Sequence, residues 1–400
     1  MTLTLLSTFA TAFIFGINTL FLLSAGLNNT QAFAANAFFT AGQVIFEVPT
    51  GVVADVWGRR FSFLLGAASL MITTLIYWLL WHSQAPFYQW AIVSALLGLG
   101  YTFFSGATEA WLVDALQATG FTGSLESIFA KGQISVGIAM LAGSVGGGVI
   151  AQFTNLGVPY LVRAGFLLVL FLVAYLSMRD LGWQPVAKAH PIKQVKHVLN
   201  ASIEHGWRNK PVRWLMIAEP FLAGVSYYGF YAIQPYLLEL SHRPNAYSIA
   251  GAGAAIVAAS QIAGGLAAPW IKRHFKKRST VLLGSVVMSA TTLGLLGVVN
   301  NFWLALGLIV VWGLTFAATV PVRQAFINKL IPSEQRATVL SFDSLMSSAG
   351  GVFTQPGLGR VADAFGYGVS YSIAGATQLV ALPCLWIVRK TRSRGDNSNS

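Results

Sequence analysis

Long apolar segments, separated by short polar or glycine-rich breaks, make up almost the whole chain. Most segments are close to the roughly 20 residues that an α-helix needs to cross the hydrocarbon core of a bilayer. Reading the segments between the breaks predicts about twelve membrane-spanning helices. Their predicted limits are 3–24, 32–54, 61–81, 88–113, 128–151, 160–178, 214–238, 248–271, 280–299, 302–327, 338–358 and 369–388. The pattern therefore predicts an all-α polytopic membrane protein.

Composition agrees with the apolar pattern. Of 400 residues, 55% are apolar and 10% are charged, and the mean hydropathy is +0.64. Soluble domains rarely combine these values. Cys384 is the only cysteine, so the sequence has neither a disulfide framework nor a cysteine metal cluster, and we expect no metal or cofactor. No Lys or Arg precedes the first apolar run, which favours a retained first helix over a cleaved signal peptide.

Positive charge is concentrated in alternate breaks. The net charge is +12 at pH 7. The basic clusters lie at Arg59 and Arg60, within 179–213, within 272–278, at Lys329 and Arg336, and within 389–394. This asymmetry is typical of the positive-inside rule and predicts that both termini are cytoplasmic. Because the charge follows the loops of a membrane protein, it gives no support for nucleic-acid binding.

The longest polar stretch divides the chain into two halves. The predicted domains are a first six-helix bundle over 1–178, a cytoplasmic linker over 179–212, a second six-helix bundle over 213–388 and a basic cytoplasmic tail over 389–400. Apolar residues in the linker recur at helical spacing opposite basic ones. That pattern fits an amphipathic helix on the membrane surface, and a solvated linker is the alternative.

The two halves can be aligned as an internal repeat, which is how many transporters are built. When Gly51 is placed on Gly265, Glu47 falls on Gln261 and Glu109 falls on Arg323. Acidic positions of the first half are thus neutral or basic in the second half.

One short turn, between the second and third predicted spans, combines glycines with charges. It reads Gly51-Val-Val-Ala-Asp55-Val-Trp-Gly58-Arg59-Arg60. Gly51 suits a close backbone approach, Gly58 can adopt the positive φ that ends a helix, and Asp55 can pair with an arginine. The spacing G-x-x-x-D-x-x-G-R-R resembles the signature of the major facilitator superfamily. That resemblance implies two pseudo-symmetric six-helix bundles with alternating access, and an inner gate in which Asp114 pairs with Arg59 or Arg60.

The fifth predicted span contains a run of small residues, Gly143, Ser144, Gly147 and Gly148. It resembles the superfamily's antiporter motif G-x-x-x-G-P-x-x-G-G, with Ala139 in place of the first glycine and Ser144 in place of the proline. The segment 328–341, together with 47–51 and 105–111, is similar to the bacterial drug:proton antiporter branch, which implies a bacterial inner membrane. The basic residue of that branch's R-x-x-Q-G motif is absent. Close helix packing is the alternative role of the glycines.

Ionisable side chains inside predicted spans are candidates for proton coupling, because a charge in the bilayer costs several kcal/mol. The candidates are Glu47, Glu109, Glu219 and Asp343. Glu47 precedes Asp55 by eight residues, which places it about 12 Å into the hydrocarbon and makes it the first candidate. A structural hydrogen bond is its alternative role. Arg323 is a candidate ionic partner of Glu109, and Asp343, among serines, is also a candidate for helix packing.

Polar and aromatic residues inside the spans are candidates for lining a substrate cavity. They are Asn18, Asn36, Gln43, Tyr227, Tyr231, Gln234, Gln261 and Arg323. An aromatic wall with few amides is suited to apolar or cationic ligands. For the aromatic residues, contact with lipid is the alternative.

These observations predict a monomeric secondary transporter in a lipid bilayer, driven by the proton gradient, that exports a small amphipathic or drug-like molecule. The sequence contains no G-x-x-x-x-G-K-[ST], G-x-S-x-G or H-E-x-x-H motif, so neither ATP drive nor an enzyme is indicated. Uptake of a small metabolite by proton symport is the nearest alternative, since one fold supports both directions. A membrane receptor or assembly partner that does not transport is the alternative of another class.

Overall fold

A computed structural model describes residues 2–104, 107–121, 123–183, 207–331, 336–391, 393 and 396. Almost all of this part of the chain is helical. The helices are α1 (Thr2–Phe15), α2 (Asn18–Ser24), α3 (Asn29–Trp57), α4 (Arg59–His82), α5 (Phe87–Thr102), α6 (Ala107–Ala118), α7 (Leu125–Phe153), α8 (Val158–Ser177), α9 (Lys210–Leu240), α10 (Tyr247–His274), α11 (Arg278–Val298), α12 (Phe302–Leu330), α13 (Arg336–Leu379) and α14 (Ala381–Lys390). The predicted all-α polytopic fold is therefore confirmed.

The first predicted span is broken, whereas the predicted break between the last two spans is present. The first span consists of α1 and α2, which are bent by 47°. The bend follows Gly16, where a Cβ atom would collide with the backbone of Gly251. The last two predicted spans are separated by a kink at the non-helical Gly366 of α13, and the final span continues into α14. Glycine absorbs the break at residue 366 because its φ of 83° is one that other residues rarely adopt.

Eight helical stretches in the described part of the chain are long and apolar enough to cross a membrane, and the bent pair α1 and α2 would be a ninth. Two predicted spans fall outside these stretches, one on the 16-residue α5 together with α6 and one on α9, which contains Pro220 and Pro235, and the last two predicted spans share the single kinked stretch Val339–Lys390. Short length, prolines and kinks lower the apolar signal of a helix without preventing it from lying in a bilayer.

The helices pack into two compact units. The first contains residues 1–27, 35–195 and 245–255, and the second contains 28–34, 196–244 and 256–400. Residues 28–34 are grouped with the second unit and residues 245–255 with the first. The predicted amphipathic helix of the linker and most of the basic tail lie outside the described residues.

In the first unit, the small residues of α7 allow close contact with neighbouring helices. A Cβ atom on Gly147 would collide with the carbonyl oxygen of Phe13, and one on Gly143 would collide with Ala12, both on α1. Gly148 lies in the same way against Gly251 of α10. Ser144 is buried among them. The glycines of the antiporter-like motif are thus packing positions, whatever further role they have.

In the second unit, an apolar cluster fixes the helices that carry the site described below. Its buried members include Leu215 and Met216 of α9, Leu282 of α11, Phe326 of α12 and Leu385 of α14. Residues three and four positions apart share a helix face. The cluster therefore also fixes the direction of the side chains that lie one turn away from its members on α9 and α12.

Also in the second unit, Asp363 of α13 caps the first turn of α3. Its carboxylate accepts hydrogen bonds from the backbone N–H of Asn29 at 2.9 Å, the backbone N–H of Thr30 at 2.8 Å and the Thr30 hydroxyl at 2.5 Å. A carboxylate at a helix N-terminus pairs with unsatisfied N–H groups and with the helix dipole. This tie joins residues 333 and 334 positions apart in the sequence.

We expect Gly147→Ala to destabilise the protein and Gly146→Ala not to. A methyl group at position 147 meets the Phe13 carbonyl, whereas at position 146 the nearest atom lies 3.6 Å away, an ordinary contact. Overpacking of this kind costs about 1–3 kcal/mol, while alanine by itself is the better helix former by up to about 1 kcal/mol. Thermal unfolding of the two purified variants in the same detergent measures the difference. Equal melting temperatures would contradict the proposed packing.

Candidate functional site

Three charged side chains from α9, α12 and α13 meet inside the second unit. The Arg323 Nε lies 2.8 Å from Glu219 Oε2. Its two terminal nitrogens each lie 2.6 Å from an oxygen of Asp343. The side chains of Arg323, Glu219 and Asp343 are 12%, 14% and 11% exposed. We call these three residues the charge triad.

The two carboxylates of the charge triad are held differently. Asp343 binds both terminal nitrogens of the guanidinium in a two-point fork, the geometry that favours a stable ion pair. Glu219 receives only the Nε–H of Arg323 and, on its other oxygen, the hydroxyl of Ser347 at 2.8 Å. Two carboxylates and one guanidinium carry one uncompensated negative charge when all three are ionised. A single proton on Glu219 balances that charge without breaking the Asp343 fork.

Glycines let α9 and α13 approach closely enough to form the charge triad. A Cβ atom on Gly350 would collide with the backbone of Pro220, and one on Gly224 would collide with Gly350. Asp343 lies seven residues before Gly350, which is two helical turns, so it points from the same face of α13. Glu219 directly precedes Pro220. The close approach of α9 and α13 therefore brings the carboxylates of Glu219 and Asp343 near each other.

Beside the charge triad lies an open cavity. Its lining comes from α9, α11, α12 and α13: Glu219, Leu222, Ala223, Ser226, Ser285, Val286, Ser289, Thr315, Phe316, Thr319, Val320, Arg323 and Gln378. The polar members recur four residues apart on α11 and α12, so each helix turns one polar stripe towards the cavity. This repeat was visible in the sequence, but the prediction gave weight to charged and aromatic residues and missed these hydroxyls.

The predicted pairing of Glu109 with Arg323 is wrong. Arg323 binds Glu219 and Asp343, both in its own unit. Glu109 lies on α6 in the other unit, with its side chain exposed. The alignment of the two halves matched positions along the helices, but ion pairs are decided by which helices pack together within a unit.

In the first unit, the turn between α3 and α4 gathers the predicted charges around Arg59. Its Nη1 lies 2.6 Å from Asp55 Oδ1, and its Nε lies 3.9 Å from Asp114 Oδ2. Gly58 has a φ of 102°, which lets the chain turn between the helices without an intervening loop. The predicted contact of Asp114 with one of the two arginines is thus present in the structure.

Arg60 has a different role from Arg59 in this turn. Its backbone N–H donates to Asp180 Oδ1 at 2.8 Å, and its Nη2 donates to the Tyr175 carbonyl at 2.7 Å. The Asp180 carboxylate also fills the space beside Gly58. Sequence reasoning missed Asp180, whose only signal was its place among basic residues after the sixth span. The close approach predicted for Gly51 is wrong, because no described atom lies within 4 Å of its Cβ position.

The other predicted residues do not line the cavity of the second unit. In the first unit, Asn18 donates to Asn36 at 2.8 Å, and Gln43 is half-buried. Glu47 of α3 is exposed. The remaining candidates belong to the second unit: Tyr227 and Tyr231 are partly exposed, Gln234 is buried on α9, and Gln261 of α10 is exposed.

Comparisons with known proteins agree with this architecture. A family model described as Major Facilitator Superfamily matches residues 1–267 and 220–400. The solved nucleoside transporter NupG has a TM-score of 0.81 at 14% identity, with coverage of 97% of this chain and 98% of that one. A POT family transporter in complex with 5-aminolevulinic acid has a TM-score of 0.69 at 12% identity, covering 97% and 94%. A bacterial homologue of the human lysosomal transporter Spinster, in an inward-facing conformation, has a TM-score of 0.72 at 13% identity, covering 100% and 97%.

Comparison with curated proteins gave no match. At their low identities, the solved structures establish the fold, and the family model establishes the superfamily. Neither comparison distinguishes the drug:proton antiporter branch that the α7 motif resembles. The chain belongs to the major facilitator superfamily and is a multi-pass membrane transporter rather than an enzyme.

Proposed function

We propose that the chain is a proton-coupled secondary transporter that exports a small amphipathic molecule, and that Glu219 carries the coupling proton. The observation that supports this most directly is the charge triad, with two carboxylates on one buried guanidinium. A buried and uncompensated charge is unfavourable, so protonation of one carboxylate stabilises the closed cluster.

Glu219 is the carboxylate that meets both requirements of a coupling site. It lines the cavity, and a proton can therefore reach it when water enters. It is bound to Arg323 through one nitrogen only, so losing or gaining a proton leaves the Arg323–Asp343 fork in place. Glu219 also accepts a hydrogen bond from the hydroxyl of Ser347 on α13. Tyr227 lies two helical turns after Glu219 on α9.

This assignment replaces Glu47 as the first candidate for proton coupling. Glu47 is exposed on α3, whereas the Glu219 side chain is only 14% exposed and is bound to a guanidinium. The coupling of proton and substrate requires a carboxylate whose charge affects the stability of the protein.

Export as the direction of transport is supported by the small-residue motif of α7. Gly143, Gly147 and Gly148 sit at points of close contact, as the antiporter-like motif requires. The turn around Arg59 serves as the inner gate in this proposal. Its ion pairs with Asp55 and Asp114 form in one state and separate in the other, and the energy of each pair is small enough for a gate to break.

Substitution of Glu219 by Gln is expected to abolish proton-driven transport. The test uses proteoliposomes with an imposed pH gradient and fluorescent amphipathic probes, ethidium among them, with probe accumulation as the readout. Gln keeps the size of the side chain and one acceptor oxygen but has no proton to gain or lose. We expect accumulation in the unmodified protein to run against the proton flow and to fall to the level of empty liposomes in Glu219→Gln.

Two matched variants make this result specific. Glu239→Gln is the same substitution on the same helix, at an exposed position outside the cavity, and should transport normally. Glu47→Gln should keep its dependence on the pH gradient. Undiminished accumulation in Glu219→Gln, or its loss in Glu47→Gln alone, would contradict the assignment.

The inner-gate proposal predicts that Asp55→Asn slows transport without preventing insertion. Arg59 then keeps only the longer contact to Asp114, so the state held by this turn is less populated. We expect the initial rate of ethidium accumulation, normalised to reconstituted protein, to fall about tenfold, which corresponds to about 1.4 kcal/mol. Asp55→Glu should restore part of the rate. A normal rate in Asp55→Asn would remove the turn from the mechanism.

A further inference from the structure

Four of the five hydroxyl groups that line the cavity beside Glu219 present oxygen lone pairs rather than protons. Ser226, Ser285, Thr315 and Thr319 each donate to a backbone carbonyl three or four residues earlier in their own helices, at 2.6–2.9 Å. A hydroxyl has one proton to donate and two lone pairs that accept. With their protons engaged, these four side chains can only accept a hydrogen bond from a ligand.

The guanidinium of Arg323 does not offset this surplus of acceptors. Its Nε, Nη1 and Nη2 are directed at Glu219 and Asp343, and Nη2 also reaches the Leu215 carbonyl. The Glu219 carboxylate, by contrast, has lone pairs beyond those used by Arg323 and Ser347. The charged part of the cavity wall is therefore an acceptor that carries the unbalanced negative charge of the triad.

Gln378 is a second polar residue of the wall with an unsatisfied acceptor. It lies on α13, lines the same cavity and is only 3% exposed. Its Oε1 is buried and has no hydrogen-bond partner among the residues that the structure describes. Buried carbonyl oxygens are nearly always paired, so this part of the wall has one acceptor more than the chain's own donors satisfy.

The rest of the cavity wall is apolar. Leu222, Ala223, Val286 and Val320 line it together with the ring of Phe316. An aromatic ring tolerates a nearby cation because its face carries negative charge. The occupant that fits has an apolar body and one polar end.

We propose that this cavity binds a protonated amine, so that the exported molecule carries an ammonium group on an apolar body. An ammonium group brings up to three donors and one positive charge, which match the acceptors and the unbalanced charge of the wall. An alcohol brings one donor and no charge, and a carboxylate is repelled by Glu219. This inference rests on the proposed function, since it names the substrate class of the same site.

Equilibrium binding to the purified full-length protein in detergent tests the amine site. Isothermal titration compares 2-phenylethylammonium with 2-phenylethanol and 3-phenylpropionate at neutral pH. The three probes share an aromatic body and differ in the polar end. We expect the ammonium to bind at least about tenfold more tightly than the alcohol, and the carboxylate not to bind measurably.

Variants locate the binding in this cavity. Glu219→Gln should weaken the ammonium at least about tenfold and leave the alcohol unchanged, whereas Glu239→Gln should change neither. Thr319→Val keeps the shape of the side chain but removes one acceptor, and should weaken the ammonium about threefold. Equal affinities for ammonium and alcohol overturn the proposal, and so does unchanged ammonium binding in both Glu219→Gln and Thr319→Val.

Failure of this inference is distinguishable from failure of the proposed function. If 2-phenylethylammonium does not bind while ethidium is still accumulated against a proton gradient, the amine site is wrong and proton-coupled export stands. If the ammonium binds as expected but neither it nor ethidium moves with a proton gradient, the amine site stands and the proposed function is wrong.

Discussion

The arrangement of the second unit depends on a buried guanidinium shared by two carboxylates. Removing either acid leaves Arg323 with one partner, and removing Arg323 leaves two negative charges close together in an apolar surrounding. Each loss is costly because a buried ion cannot be compensated by water. The charge triad therefore constrains α9, α12 and α13 to lie together. In the proposed mechanism, the packing of these three helices therefore depends on how many protons the cluster carries.

The packing that surrounds the triad explains how the sequence can place charges there. Gly350 and Gly224 allow α9 and α13 to touch at the level of Pro220, and the apolar cluster around Phe326 fixes the faces of α9 and α12. The same principle operates in the first unit, where α7 contacts α1 through Gly143 and Gly147. In a bilayer, close packing of small residues replaces the hydrophobic effect as the force that joins helices, so the glycines and the ion pairs act together.

Sequence patterns predicted what is local and missed what is distant. Apolar runs located the helices, and the turn from Asp55 to Arg59 was identified because its partners are four residues apart, at the end of α3 and the start of α4. The partners of Arg323 lie on other helices, and the alignment of the halves offered Glu109 instead, since sequence position does not encode which helices pack together. The cap of Asp363 on Thr30, from the far end of the chain, had no sequence signal at all. Hydroxyls of the cavity had a signal, the four-residue repeat on α11 and α12, but hydroxyls are common in helices and bond to their own backbone.

In the proposed mechanism, Glu219 gains and loses a proton within an intact charge triad. Infrared difference spectroscopy of the purified protein between neutral and acidic pH detects this proton, because a protonated carboxyl has a carbonyl stretch that a carboxylate lacks. We expect a buried carboxyl band that appears on acidification, is absent from Glu219→Gln and persists in Glu239→Gln. A band that survives unchanged in Glu219→Gln would show that another residue takes the proton and that Glu219 is not the coupling site.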